Sequence, residues 1–181
     1  MSSFTNPASQ AQMNPSQYVN DLLALLGKDD PFEVMSQLHP TLEKAVRGIS
    51  EEDLRRPEKP GKWSILQVLN HLVDTEMVYG YRTRMIVSHN EPKIQAYDQD
   101  LWAETLRANE GSSREILDEL RMSRGRNLRL LKSLRPDELK RVGHHEERGP
   151  ESVMRVVQMI AGHDRVHLRQ IERIKRAHGL A

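Results

Sequence analysis

The chain reads as an all-α protein, a four-helix bundle with one or two short extra helices. Three observations point there. Apolar residues recur at three- and four-residue spacing through most of the chain, whereas alternating runs of Val, Ile, Thr and aromatics are nearly absent. Helix start and stop signals bracket four long segments. The length of 181 residues suits one domain with a substantial core.

The first element is a short helix over 15–26, opened by Pro15, closed by Gly27 and crowded with Leu22, Leu23, Leu25 and Leu26 near its end. Asp30 is a good N-cap before Pro31, a favoured first helical residue. The helix that follows runs to about Gly48 with Val34, Leu38, Thr41, Ala45 and Ile49 on one face. Residues 51–62 carry Pro57, Pro60 and Gly61 and are expected to form a loop. Ser64 opens the next helix, with Gln67 at capping-box spacing, and the pattern continues to about Ser88. Residues 89–98 are a connection broken by Pro92, and 100–108 a short helix. Ser112 or Ser113 caps a longer helix that reaches Leu134, where Pro136 stops it. Residues 140–149 are expected to be a polar loop holding His144 and His145, with Gly149 and Pro150 starting a last helix that ends near His178. Connections of this length call for crossovers or for loops that build a site at one end of the bundle. Residues 1–14, rich in Ser, Gln, Asn and Ala, read as a frayed tail, which leaves 15–181 as the single domain.

Composition removes several classes of function. The formal net charge is +1 and no block of five like charges occurs, so a nucleic-acid footprint is missing. No apolar run approaches the roughly 20 residues of a membrane span. The N-terminus lacks the basic and apolar regions of a secretory signal, and a cytoplasmic location follows by elimination. With no cysteine, the chain has neither a disulfide framework nor a thiolate ligand or nucleophile of its own.

The last helix carries the strongest chemical signal. Val153, Val156, Ile160, His163, His167, Ile171 and Ile174 fall within about 80° of one another at 100° per residue. His163 and His167 therefore sit in the middle of a buried face, one turn apart, able to point at one object. Burying two imidazoles is costly unless each has a partner. That partner is either a metal ion or polar groups of other helices. His71 lies beside the stripe Ile65, Leu69, Leu72 and Tyr79 of its own helix, a place where histidines are commonly structural.

The blocks K-W-S-I-L-Q-V-L-N-H-L-V-D-T-E at 62–76, Y-D-Q-D-L-W-A at 97–103 and G-H-D-R-V-H-L-R-Q-I at 162–171 resemble the DinB/YfiT-like superfamily, in that order and over roughly four-fifths of the chain. The resemblance implies a four-helix bundle of up-down-down-up order. It implies one zinc or nickel ion held by His71, His163 and His167. It also implies a small-molecule substrate and a homodimer. Relatives of that kind include S-transferases of low-molecular-weight thiols, a thiol-dependent isomerase and metal-dependent hydrolases. Three nitrogen ligands leave a coordination position open, as catalytic metal sites do. A metal-dependent enzyme that activates a small thiol for S-transfer to an electrophile is the first expectation. A hydrolase using a metal-bound hydroxide is the alternative, and a non-catalytic metal or ligand-binding module the third.

Other residues bear on the site. Glu76 falls on the core stripe of its helix, either as a general base or partner of a ligand histidine, or as the mate of a buried arginine. Arg124 and Asn127 interrupt the stripe Leu117, Leu120, Leu131, Leu134. They either line a polar cavity that takes an anionic substrate or sit exposed on a slightly rotated helix. Asp98, Gln99 and Trp102 read as packing and capping, Asp164 as a surface pair, Asp74 as water-facing, and His144 and His145 as solvated.

Overall fold

The computed structural model describes residues 14–180. Apart from Asn14, the expected tail lies outside them. Asn14 caps α1 (Pro15–Leu26), its side chain accepting from the Gln17 N–H, and Gly27 ends that helix at φ 63°. Asp30 caps α2 (Pro31–Val46) as expected, accepting from the Phe32 N–H. The buried face of α2 is Met35, Leu38, Leu42 and Val46, not the expected Val34, Leu38, Thr41, Ala45 and Ile49; Thr41 is exposed. Both sets repeat at helical spacing and share Leu38, so periodicity alone does not choose between them.

The expected loop at 51–62 contains one turn of helix, α3 (Glu51–Leu54), capped by Ser50. Ser64 and Gln67 form a full capping box at the start of α4 (Ile65–Ser88). A short α5 (Gln99–Thr105) is capped by Asp98. Ser112 precedes α6 (Ser113–Ser133) without a side-chain cap bond, and Glu51 Oε1 accepts from the Ser113 N–H and hydroxyl. The last helix, α7 (Val153–His178), starts three residues later than expected, with Ser152 as its cap and Gly179 ending it in the left-handed conformation.

The difference from the expected pattern is a small sheet. Strands β1 (Lys93–Ile94), β2 (Val142–His145) and β3 (Gly149–Ser152) lie in that order, β1 parallel and β3 antiparallel to β2. Residues 140–149 are thus a hairpin arm, not a loop. V-G-H-H and G-P-E-S show no alternation of apolar and polar residues, which is why no strand is legible in them. Gly143 is required where β2 crosses α4, since a Cβ there would sit 2.7 Å from Ile86 Cγ1.

The four long helices are α2, α4, α6 and α7. Helix α2 packs on α6 and α7, and α4 packs on the same two, so α2 and α4 are diagonal. Directions follow from the contacts. Met35 meets Arg124 while Glu51, just past α2, meets Ser113, so α2 and α6 are antiparallel. Asn70 meets Ala108 and Glu76 meets Arg124, so α4 and α6 are parallel. Trp63, just before α4, lies by His167 while His71 meets His163, so α4 and α7 are antiparallel. The order is up-down-down-up. One apolar cluster surrounds Leu38, Leu66, Leu69, Leu120 and Ile171; another surrounds Met35, Tyr79, Ile86, Val156 and Ile160. Between these clusters α4, α6 and α7 bury a polar layer of His71, Glu76, Arg124, His163, Asp164, His167 and Gln170.

Candidate metal centre

His71 comes from the second turn of α4, and His163 and His167 from the middle of α7. All seven residues of the α7 stripe are buried, and the two histidines are 3% and 0% exposed. The α4–α7 contact turns the three rings inward. His163 Nε2 lies 3.0 Å from His71 Nε2 and 3.0 Å from His167 Nε2. The indole of Trp63 closes one side, its ring centroid 5.0 Å from that of His71 and stacked on His167 at 6.4 Å.

An imidazole nitrogen holds either one lone pair or one N–H in the ring plane, never both. His163 Nε2 therefore cannot make two well-aligned ring-to-ring hydrogen bonds at once: it has one lone pair or one N–H for two neighbours at 3.0 Å. A cation among three lone pairs removes the conflict. Two nitrogens bound tetrahedrally at about 2.0–2.1 Å from zinc lie about 3.3 Å apart, close to the separation found here. Burial holds all three imidazoles below their ordinary pKa, His167 at about 4 despite its bond to Gln170, so each stands neutral and ready to ligate. His167 Nδ1 sits 2.8 Å from Gln170 Oε1, which fixes Nδ1 as the N–H and leaves the Nε2 lone pair facing the cluster. Among the described residues, this is the one group of three or more such side chains placed to share an ion.

Beside the cluster lies an ionic network. Arg124 donates from Nε to Glu76 (2.8 Å), from both Nη atoms to Asp164 (2.6 and 2.9 Å) and from Nη1 to the Met35 carbonyl (3.0 Å). Asn127 Nδ2 donates to the Glu76 carbonyl oxygen and to Oε2. Of the two alternatives for Glu76, the structure builds the buried-arginine pair. Arg124 is buried and Asn127 partly so; neither is exposed, and neither lines the small cavity at His163. Asp164 is the clearest correction: expected at the surface, it is fully buried, and burial raises its carboxyl to about 6. It follows a ligand candidate in sequence yet points away from the three histidines, to Arg124 on α6. Asp74 is half-buried, with its carboxyl pushed up to about 6 by burial.

The cavity beside His163 holds about 30 Å³, and Tyr18, Tyr79, Arg82, Tyr97, His145 and Arg148 help to line it. His144 is exposed as expected, but His145 is 2% exposed. Among the described residues its Nε2 has no hydrogen-bond partner, nor does His163 Nδ1. Gln99 and Glu147 also reach this cavity, and Trp102 packs on Tyr97. No sequence signal marks Arg82, His145 or the tyrosines, because the hairpin brings them together. Gln170 was legible in principle, three residues after His167 on the edge of the same stripe.

The profile of the DinB superfamily matches residues 35–171. The chain belongs to the DinB superfamily. It is 27% identical over 149 residues to a Bacillus mycoides protein named "Putative metal-dependent hydrolase", covering 81% of this chain and 84% of the relative. It is 29% identical over 123 residues to "Putative metal-dependent hydrolase YfiT" of Bacillus subtilis, covering 66% and 67%. The solved structure of YfiT, described as "a probable metal-dependent hydrolase with an unusual four-helix bundle topology", superposes with a TM-score of 0.78 at 24% identity over 83% of this chain and 87% of that one. The DinB fold is thereby shown. None of these relatives is described as a thiol transferase or a homodimer. No helix among the described residues is long and apolar enough to cross a membrane.

Proposed function

We propose that this DinB protein is a metal-dependent enzyme in which His71, His163 and His167 hold one divalent ion, zinc or nickel, and that it hydrolyses a small-molecule substrate. The observation that carries the reading is the meeting of three buried Nε2 atoms around His163, whose one nitrogen cannot serve both neighbours with well-aligned hydrogen bonds. The hydrolytic assignment is supported by the names of the relatives. When bound, such an ion supplies Lewis acidity at its open coordination position.

The protein's own groups have separate tasks in this reading. Gln170 sets the tautomer of His167. Trp63 keeps water from one side of the cluster. Arg124, Glu76, Asp164 and Asn127 are positioning residues that lock α6 against α4 and α7, so that the rings hold their orientation. Transfer from a small thiol is the competing reaction; the chain has no cysteine, so its thiol would come from solution.

The test is metal content by plasma mass spectrometry for the parent and a His163→Ala, His167→Ala variant, both grown with added metal and desalted without chelator. The parent is expected to carry close to one equivalent and the variant almost none. Failure of both to bind, even after incubation with zinc or nickel, overturns the metal centre. Turnover of model amides and esters without thiol then separates hydrolysis from S-transfer.

A further inference from the structure

Arg82 projects from α4 into the cavity beside His163 and is 4% exposed. Its Nη2 donates to the Gln95 carbonyl at 2.6 Å, and its guanidinium lies over the rings of Tyr79 and Tyr97, 5.2 and 5.8 Å from their centroids. No carboxylate of a described residue pairs with it within 4 Å, and residues 1–13 contain no Asp or Glu. The two other buried or nearly buried arginines of this region are matched: Arg124 with Glu76 and Asp164, Arg148 with both oxygens of Glu151. Ring faces attract a cation without cancelling its charge. A buried cation without a directly paired carboxylate is costly, and a bound anion would lower that cost.

His145, on β2, faces the same cavity. The Glu147 backbone N–H donates to its Nδ1 at 3.2 Å, so Nδ1 is the acceptor and Nε2 carries the proton. That N–H is buried without an acceptor among the described residues. A cation without a paired carboxylate and a neutral donor without an acceptor among the described residues thus share a cavity with His163. The space is about 30 Å³, room for one or two waters, and tyrosine rings flank it. A planar three-atom carboxylate suits it better than a tetrahedral phosphate.

We propose that Arg82 and His145 form an oxyanion seat for a carboxylate group of the substrate, whose reacting bond then lies toward the histidine cluster. The assignment of this anion to a substrate rests on the metal-enzyme reading above; the seat itself does not. Arg82 supplies the charge through N–H groups not spent on Gln95, and His145 a directional neutral donor.

The experiment is a ligand-observed NMR titration of the full chain, metal-free and metal-loaded, with propionate, its neutral isostere propionamide, and inorganic phosphate. Propionate is expected to bind at least tenfold more tightly than propionamide in both forms. Arg82→Met is expected to bring that ratio near one while propionamide binding stays unchanged. Arg82→Lys, which keeps the charge, should retain part of the ratio, and His145→Phe should lower it severalfold; these two carry the test if Arg82→Met does not fold. A ratio near one in the parent overturns the proposal. A preference that appears only with metal and survives Arg82→Met also overturns it, because the ion is then the anion's partner. Phosphate binding without propionate binding overturns the carboxylate assignment. A protein that takes up no metal yet discriminates the two probes leaves the seat standing and refutes the metal centre alone.

Discussion

Replacement of Arg124 by methionine tests how much the polar layer depends on one side chain. Arg124 is 3% exposed and makes four hydrogen bonds, three of them to carboxylate oxygens. Methionine fills much of the volume but leaves Glu76 and Asp164 buried with no cation. Removing one partner of a buried ion pair costs about 3–5 kcal/mol. With a urea m-value of about 2 kcal/mol/M, the midpoint should fall by about 2 M. The assay is urea denaturation followed by circular dichroism on metal-free protein. The loss should shrink at lower pH. Asp164 titrates at about 6 with the arginine present; without it Asp164 binds a proton more readily, so from pH 8 to pH 5 it becomes neutral and the penalty fades. Adding Glu76→Gln and Asp164→Asn to Arg124→Met should recover at least half of the lost stability at pH 8. A loss below about 1 kcal/mol at pH 8, or one that grows on acidification, refutes the reasoning.

Three further outcomes are expected. Gln170→Leu removes the acceptor of the His167 Nδ1–H and should weaken metal binding about 10–100-fold in chelator competition, with Gln170→Glu retaining most of the affinity. Gly162→Ala places a Cβ 2.2 Å from the Leu22 carbonyl oxygen, so α1 must shift from α7; a loss of about 2–3 kcal/mol is expected, with faster hydrogen exchange over 15–26. His145 is held near 3, chiefly by burial, against an ordinary 6.5. The folded state therefore binds fewer protons there than the unfolded chain, and stability falls from pH 6.5 toward pH 3. His145→Gln should flatten that decline by roughly 3–4 kcal/mol, as read from urea midpoints across the range.

Much of the helical frame is legible in the sequence because caps and periodicity agree. Asp30, Ser64 and Gly179 lie where helices begin and end, and the α7 stripe from Val153 to Ile174 is buried at every position. The pairing of His163 with His167 follows from spacing, whereas His71 was singled out by resemblance. Asp164 departs from its expected surface position for a physical reason. It lies about 100° around the helix from His163, off the apolar stripe, and that side of α7 is covered only because α2 and α6 converge there around Arg124. Nothing local in the sequence reports such convergence. The sheet is not legible because its strands are two to four residues long and carry Gly, Pro and His, so Arg82 and His145, 63 positions apart, give no sign of sharing a cavity.

The connection order decides which helices supply this centre. In a simple up-down-up-down bundle the second and fourth long helices are diagonal, and histidines on them would face each other across the full core. Here α4 and α7 are neighbours, and His71 comes within hydrogen-bonding distance of His163. The third long helix, α6, then occupies the position from which Arg124 reaches both α4 and α7. The resulting layer holds one guanidinium and two carboxylates, an excess of one negative charge beside three neutral imidazoles. Such a surplus lowers the cost of placing a divalent cation among the rings, where imidazoles contribute no charge of their own. It does not cancel that cation, and Arg82 adds a further positive charge on the cavity side. An ion bound at the histidines would therefore leave the cavity positive, and a carboxylate seated there brings the buried charges closer to balance.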